Sequence, residues 1–353
     1  MVRVQRIRVP DTGHLSWIVI DGEHVPVEVV NEYLVYLHRL GRSPNTVRAY
    51  AHHLQAYWAF LVEQKHDWRD LKLTQLAEFV SWARHATRAG GGNRSDATIN
   101  LILAAIGSFY EYQDRLGVET NISRSRRFGA KSPYKPFLHH IGRNRPLPRA
   151  VMQVRATRRL PRVFSAQQVQ ALLNACARQR DRLLVSLLYE SGMRVGQLLG
   201  LRHADIRSYD GEIEIIPRAN SNGALAKSRS PYTVHVSKEV MELYADYLVH
   251  EYQETTHDYV FVNQWSGRIG APMTYSTVID LFRKLSARAG INATPHMFRH
   301  THATDLLRAG WDPAYVQRRL GHAQIQTTVN TYAHLSNGDL GKMIARYQKE
   351  RAR

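Results

Sequence analysis

The sequence predicts a mainly α-helical protein with a small β-sheet, built as a helical domain followed by a mixed α/β domain. Apolar residues recur at helical spacing along most of the chain, and only a few short segments alternate with the period of two typical of strands. At 353 residues the chain exceeds one domain of ordinary size, so we expect two domains that each bury a core.

The composition favours a polyanionic partner and a reducing compartment. The 48 Lys and Arg against 30 Asp and Glu give a formal charge of +18, which is typical of proteins that bind nucleic acid. The single cysteine, Cys176, cannot form an internal disulfide and is expected to be a small core residue. No apolar run is long enough to span a bilayer, so the sequence predicts a cytoplasmic, nucleoid-associated protein with no membrane partner.

The N-terminal third is predicted to hold a hairpin and a helical bundle. Residues 1–25 alternate around two turn signals and predict a small β-hairpin-like appendage. Residues 26–118 show helical spacing, with Ser43 and Ser95 as the N-caps of two helices. This pattern indicates a compact helical domain.

A basic stretch with several prolines, residues 119–161, separates the two predicted domains and is interpreted as an extended linker. A cationic strap of this kind can lie along a phosphate backbone, and the alternative is a disordered tether that adds only non-specific attraction. The candidate DNA contacts in this stretch are Arg124, Arg126 and Arg127.

From Arg162 onward the pattern predicts long helices around a few short strands. Two alternating segments, 211–216 and 232–236, are expected to be strands joined by a loop that contains Lys227. Asp258 to Val262 is a candidate third strand. Later helices are predicted over Tyr275 to Ala289, Thr294 to Ala309 and Asp312 to Leu320, with Gly290 and Gly310 as C-terminal stops.

The first residue with a candidate chemical role is Arg194, which follows a Gly-Met turn and lies between apolar helical positions. A guanidinium in such a place is costly unless it faces an anion. The alternatives are a surface side chain, or a buried ion pair with an acid such as Asp205.

The second candidate is a pair on one predicted helix, His296 and Arg299, which lie three residues apart and therefore share a face. A guanidinium fork matches two phosphate oxygens and an imidazole can transfer a proton, so the pair suits phosphoryl transfer. A competing interpretation takes His296, His300 and His302 as metal ligands, although position 297 is Met where the zinc-protease pattern needs Glu.

The third segment is Leu320-Gly321-His322, and Tyr332 lies ten residues after His322. With the boxes around Arg194 and His296, it resembles in order and spacing the signature of the tyrosine recombinase family, also called lambda-integrase-like recombinases. The resemblance makes residues 162–334 the catalytic domain. Residues 26–118 are similar to the family's helical core-binding, SAM-like domain, on the segment Ser43 to Tyr50.

The resemblance implies a covalent mechanism for Tyr332. Its hydroxyl would attack a DNA phosphodiester, form a 3′-phosphotyrosyl link and release a 5′-hydroxyl, so that no ATP is needed. Arg194 and Arg299 match the family's phosphate clamp, which stabilises the charge that builds on the phosphorus. The alternative for Tyr332 is an aromatic side chain that packs on Leu335.

The remaining roles are also implied by the resemblance. Lys227 matches the family's hairpin lysine, which protonates the leaving oxygen; Arg229 is the alternative, but a guanidinium almost never gives up a proton. His296 acts as a general base or orients the phosphate, and His322 hydrogen-bonds it. Because fixed cations hold the charge, no metal ion or other cofactor is implied.

Two departures from the family pattern stand out. Gln197 occupies a position where many relatives have Glu or Asp, and it is not part of the matched chemistry. The loop from Arg218 to Pro231, which carries Lys227, is long.

The family's partners are implied as well. These are double-stranded DNA with a specific recombination site, a homotetramer on synapsed DNA and an accessory DNA-bending or directionality protein. Residues 335–353 would form a helical tail that docks on a neighbouring protomer, with packing inside the monomer as the alternative. The best candidates for DNA contacts in the helical domain are Asn45, Thr46, Arg48, Thr98 and Asn100.

The implied function is site-specific recombination for integration, excision or transposition of a mobile element. The nearest alternative is Xer-like resolution of chromosome or plasmid dimers. An inactive DNA-binding regulator on the same fold, a nicking-and-sealing topoisomerase and a metal-dependent hydrolase are the other functions considered. The helical N-terminal domain favours a recombinase over the topoisomerase.

Overall fold

The computed structural model describes residues 1–9, 13, 15–85, 93–122, 152–155, 161–226, 230–252 and 257–321. The chain divides into two compact units, Met1–Arg158 and Arg159–Arg353. The predicted fold class is confirmed, since helices dominate the described ranges and the strands form two small antiparallel sheets. None of the helices in these ranges is both long and apolar enough to cross a bilayer.

The first unit consists of a hairpin and a helical bundle. Its elements are β1 (Arg3–Arg8), β2 (Leu15–Ile20), α1 (Glu28–Arg39), α2 (Pro44–Gln64), α3 (Leu73–His85) and α4 (Asp96–Arg115). The hairpin strands pair from Arg3 opposite Ile20 to Arg8 opposite Leu15. Because Val2 and Val19 are buried in the same core as the helices, the hairpin is an integral part of this unit.

The helix starts follow from capping chemistry, as the sequence predicted. The Ser43 hydroxyl accepts a hydrogen bond from the Thr46 N–H, and Pro44 occupies the first turn of α2. Ser95 accepts in the same way from the Thr98 N–H at the start of α4.

Buried aromatic rings fill the centre of the first unit. The hydroxyls of Tyr57 and Tyr110 lie 2.7 Å apart, and Tyr110 donates to the Trp68 carbonyl at 2.6 Å. Burial raises the pKa of both phenols above its ordinary value, so both remain protonated and keep this chain of hydrogen bonds.

Two helical asparagines hold extended segments on this bundle. The Asn31 side chain donates to the Val19 carbonyl at 3.0 Å and accepts from the Val19 N–H at 2.8 Å. Asn100 makes the same pair with Val154, at 2.9 and 2.8 Å. A carboxamide has a donor and an acceptor side by side, so each asparagine pairs with its segment as a neighbouring strand would.

The first unit therefore includes parts of the stretch that the sequence assigned to a linker. Ile122 is buried in its core, and Met152 and Val154 pack on that core. The candidate contacts Arg124, Arg126 and Arg127, and the tail 335–353, lie outside the described residues.

The second unit is built from helices around a three-stranded sheet. Its elements are α5 (Ala166–Asn174), α6 (Gln179–Ser191), α7 (Val195–Leu198), a 3-10 turn (His203–Asp205), β3 (Ile206–Arg207), β4 (Glu212–Ile215), β5 (Tyr232–His235), α8 (Lys238–His250), α9 (Tyr275–Ala289), α10 (Pro295–Arg308) and α11 (Pro313–Leu320). Helix α6 lies at the centre, packed against both α8 and α10. Leu183, Leu184 and Leu188 of α6 are completely buried.

The sheet corrects one prediction. Its strand order is β3-β4-β5, with Ile213 opposite Val234, so the two alternating segments pair as expected. The candidate third strand, Asp258 to Val262, is wrong: this segment makes only the isolated bridges of Tyr259 with Arg202 and of Val262 with Pro272. Its apolar residues are buried in the core. A short apolar run of this kind has the same composition whether it forms a strand or an irregular core segment.

We predict that Asn100→Ala destabilises the first unit by about 1–3 kcal/mol, because the Val154 amide and carbonyl lose their partners in a partly buried position. Urea unfolding of the full chain measures this loss. Asn93→Ala, at an exposed position of the same unit, is the matched control and should change the stability little. Equal unfolding midpoints for the Asn100 variant and wild type would show that the segment is held in another way.

Candidate active site

Arg194 lies at a backbone turn that only glycine can make. Helix α6 ends at Gly192 in the left-handed conformation, with φ of 63°, and Arg194 is the N-cap of α7. A Cβ atom on Gly192 would come within 2.6 Å of the His302 ring. The turn therefore packs directly on α10, with the partly buried Arg194 just beyond it.

Arg299 connects the three segments that the sequence singled out. Its side chain is only 2% exposed, and its terminal nitrogens donate to the Gly192 carbonyl at 2.7 Å and to the Leu320 carbonyl at 2.8 Å. These carbonyls end α6 and α11, whose left-handed caps are Gly192 and Gly321. A single guanidinium thus holds the Arg194 turn and the Leu-Gly-His segment against α10.

His296 lies one turn before Arg299 on α10 and is exposed. Its ring centroid is 4.5 Å from that of His300, which the helical spacing places on the same side. Burial, His296 and Arg299 together lower the pKa of His300 to about 4, so His300 is uncharged at neutral pH. His296 and Arg299 lie on one helix, as the sequence predicted.

Gln197 and Tyr232 are two site residues that sequence reasoning missed. The Gln197 side chain accepts from the Arg194 N–H at 2.8 Å and donates to the Tyr232 hydroxyl at 2.9 Å. The Tyr232 ring also packs so closely on Gly321 that a Cβ there would lie 2.9 Å from it. The only available signal was the departure from an acidic residue at position 197.

The charges of both arginines act on the Tyr232 hydroxyl. Burial raises the pKa of Tyr232, while Arg299, the hydrogen bond from Gln197 and Arg194 act to lower it. The net direction is upward, so the phenol remains protonated at neutral pH.

His302 faces away from the other two histidines of α10 and is bound by Arg319. The Arg319 Nε donates to His302 Nε2 at 3.0 Å, and the same guanidinium donates to the Glu190 and His235 carbonyls. Burial, followed by the charge of Arg319, lowers the pKa of His302 to about 3. In the described ranges no group of three or more His, Cys, Asp or Glu residues could hold a metal ion.

Asp205, which the sequence offered as an ion-pair partner for Arg194, is bound by Arg218 instead. The Arg218 guanidinium donates to its two carboxylate oxygens at 2.9 and 2.7 Å. This pair fixes the start of the loop that leads to Lys227. Farther along the loop, the Leu225 carbonyl lies 2.5 Å from where a Cβ on Gly196 would be, so the loop packs on α7.

Three of the predicted catalytic residues lie outside the described residues: Lys227, His322 and Tyr332. The described residues that directly precede Lys227 and His322 are Ala226 and Gly321. Of the predicted catalytic residues that are described, Arg299 holds the turn before Arg194 against α10, the helix that also carries His296.

The candidate DNA contacts in the first unit differ in how their side chains are used. Asn45 and Arg48 are exposed in the first turn of α2. The hydroxyls of Thr46 and Thr98 lie 2.8 and 3.0 Å from those of Ser43 and Ser95. Asn100 is engaged by Val154 through both ends of its amide, so this side chain has a structural role within the first unit.

Comparison with known proteins identifies the family. The phage integrase family model matches residues 162–338, and the phage integrase N-terminal SAM-like domain matches residues 30–116. The chain is 39% identical to transposase A from transposon Tn554 of Staphylococcus aureus over 355 residues, which cover 98% of each protein. This chain belongs to the phage integrase family of tyrosine recombinases. It is also 28% identical to tyrosine recombinase XerA of Thermococcus kodakarensis, over 86% of this chain and 89% of that one.

Solved structures share the fold of this tyrosine recombinase. The Tn1549 transposon integrase in complex with circular intermediate DNA matches with a TM-score of 0.62 and 18% identity, over 92% of this chain and 99% of that one. The XerH site-specific recombinase bound to palindromic difH substrate matches with a TM-score of 0.61 and 20% identity, over 86% and 80%.

We predict that His302 makes this recombinase sensitive to acid. Its folded pKa of about 3 lies below the ordinary value of 6.5, so the unfolded chain binds the proton more tightly. The stabilisation is complete above about pH 6.5 and is lost as the pH falls from there toward 3. Between pH 7.5 and 5 we expect His302 to account for a loss of about 2 kcal/mol.

Urea unfolding of the full chain at the two pH values tests this expectation. His302→Gln keeps an acceptor for Arg319 but cannot titrate, so its loss of stability on acidification should be smaller than that of wild type. His250→Gln changes an exposed histidine of α8 and should keep the pH dependence of wild type. An unchanged pH dependence in His302→Gln would contradict the prediction.

Proposed function

We propose that this recombinase cuts and rejoins DNA to move a mobile element, through a covalent bond between Tyr332 and a 3′-phosphate. The observation that carries the proposal is the buried Arg299, which gathers the Arg194 turn, α10 and the segment ending in Gly321 into one cationic site. A site of fixed positive charge suits a reaction in which negative charge builds on phosphorus.

The two arginines would hold the scissile phosphate. Arg194 and Arg299 are permanently charged, and each can present N–H groups to phosphate oxygens. His300 and His302 are neutral at pH 7, so they add no charge to that of the arginines. Preorganised donors of this kind stabilise the pentavalent phosphorus without rearrangement during the reaction.

The chemical steps use the remaining residues. The Tyr332 oxygen attacks phosphorus, the bond from phosphorus to the 5′-oxygen breaks, and Lys227 supplies a proton to that oxygen. His296 accepts the phenol proton or orients the phosphate, and His322 donates a hydrogen bond to the phosphate. In the second step the 5′-hydroxyl of a partner strand attacks the phosphotyrosine and releases Tyr332.

The mobile-element role is supported over the Xer-like alternative by the extent of similarity. The Tn554 transposase resembles this chain at 39% identity over 98% of both proteins, whereas XerA reaches 28% over a shorter part. The alternative of dimer resolution would require a chromosomal or plasmid site as the substrate.

The assembly is proposed on the same basis. The protein would bind double-stranded DNA at a specific recombination site, with residues 26–118 and 162–334 as its DNA-binding and catalytic domains. Asn45 and Arg48 are exposed where they could contact a phosphate backbone. Four protomers would assemble on synapsed DNA through the tail 335–353, with an accessory DNA-bending or directionality protein, on the nucleoid.

We predict that Tyr332 forms the covalent intermediate. The Tyr332→Phe protein would first select the DNA duplexes that it binds from a random-sequence pool. Versions of these duplexes nicked at successive positions would then serve as substrates, so that the short 5′-hydroxyl fragment released by cleavage can diffuse away. Wild type should give a protein–DNA adduct that survives denaturation, and Tyr332→Phe should give none. Tyr209→Phe, at a fully exposed tyrosine of the same unit, should form the adduct as wild type does.

An equal adduct in wild type and Tyr332→Phe would move the nucleophile to another residue. No adduct with any nicked duplex, despite tight selective binding, would favour an inactive DNA-binding regulator.

We also predict that Lys227 is the general acid. Lys227→Ala should slow cleavage by about 100-fold or more on ordinary DNA. Replacing the bridging 5′-oxygen by sulfur gives a thiolate leaving group that needs no proton, so this substrate should restore most of the rate. Arg229→Ala is the matched control and should depend little on the leaving atom. Sulfur rescue of Arg229→Ala instead of Lys227→Ala would exchange the two roles.

A further inference from the structure

The orientation of the Gln197 amide is fixed by its neighbours. The Arg194 backbone N–H is a donor, so the group 2.8 Å from it must be the carboxamide oxygen. The carboxamide nitrogen then faces the Tyr232 hydroxyl at 2.9 Å. Because an NH2 group only donates, the phenolic oxygen is the acceptor in this contact.

The Tyr232 hydroxyl therefore keeps its own proton for another acceptor. In the part of the chain that the structure describes, Gln197 is the hydrogen-bond partner of this hydroxyl. The hydroxyl lies against Gly321, and the charges of Arg299 and Arg194, whose guanidinium groups donate and cannot accept, act on it. The phenolic proton therefore needs an acceptor, and an anion held by the two arginines would supply one.

We propose that the Tyr232 hydroxyl donates a hydrogen bond to a non-bridging oxygen of the scissile phosphate, and that Gln197 positions it for this. The inference rests on the proposed function, since the anion is the phosphate that Arg194 and Arg299 hold. It adds to the site a neutral donor that does not take part in bond breaking.

The amide at position 197 is the feature that makes this possible. A carboxylate there would accept from the Arg194 N–H with one oxygen and from the Tyr232 hydroxyl with the other. The phenolic proton would then point at position 197 and not at the phosphate. Glutamine reverses the direction of that hydrogen bond, so the proton of Tyr232 remains available for the phosphate.

The test is cleavage of nicked, selected DNA by Tyr232→Phe. On the natural phosphate, losing one hydrogen bond to a charged group should slow adduct formation by about 10- to 100-fold. Two methylphosphonate isomers, in which a methyl group replaces one or the other non-bridging oxygen, then separate contact from structure. On the isomer without the contacted oxygen, wild type and Tyr232→Phe should differ by less than roughly 3-fold.

A merely structural role for Tyr232 would slow cleavage to the same extent on the phosphate and on both isomers, and this result would overturn the inference. So would a wild-type rate for Tyr232→Phe on the natural phosphate. Tyr209→Phe is the matched control, because it removes the hydroxyl of a fully exposed tyrosine and should leave all three rates unchanged.

Gln197→Glu provides a second variant that keeps the tyrosine. It should slow cleavage of the natural phosphate as Tyr232→Phe does, and the double variant should be no slower than either single one. Multiplicative losses in the double variant would contradict a shared hydrogen bond. If wild type forms no adduct through Tyr332, the proposed function fails and the inference with it; if wild type cleaves while Tyr232→Phe matches it on every substrate, the inference alone fails.

Discussion

The buried guanidinium of Arg299 is the interaction on which the second unit depends. Burying a charge is costly, and the protein offsets that cost by directing the carbonyls of Gly192 and Leu320 at it. These carbonyls are at the C-terminal ends of helices, where the helix dipole is negative and the last carbonyls lack partners within the helix. One side chain thereby satisfies two helix ends and brings together segments that are distant in sequence.

Much of this architecture could be predicted from the sequence, because the helices carry their own local signals. Ser43, Ser95 and Ser165 each begin a helix as N-caps, and Gly290 ends one in the left-handed conformation. The short strand β3 could not be predicted, since Ile206–Arg207 is too short to show alternation and its pairing with β4 is set by tertiary contacts.

The same reasoning explains what was found and missed in the site. Arg194, His296 and Arg299 were recognisable because the spacing of their boxes is a property of the sequence. The bridge from Arg194 through Gln197 to Tyr232 spans two separate elements, and no periodicity relates them. The clamp of Asn100 on Val154 was likewise invisible, since an exposed polar position on a helix looks the same whether it faces solvent or a neighbouring segment.

Several polar groups of the second unit add no net charge of their own, because they are either neutral or paired. His302 must keep a lone pair for Arg319, so protonation would set two donors against each other. His300 is uncharged mainly because burial lowers its pKa, and the charges of His296 and Arg299 act in the same direction. The acid Asp205 is paired with Arg218. The glutamine at position 197 is also uncharged, and its amide leaves the Tyr232 proton for a further hydrogen bond.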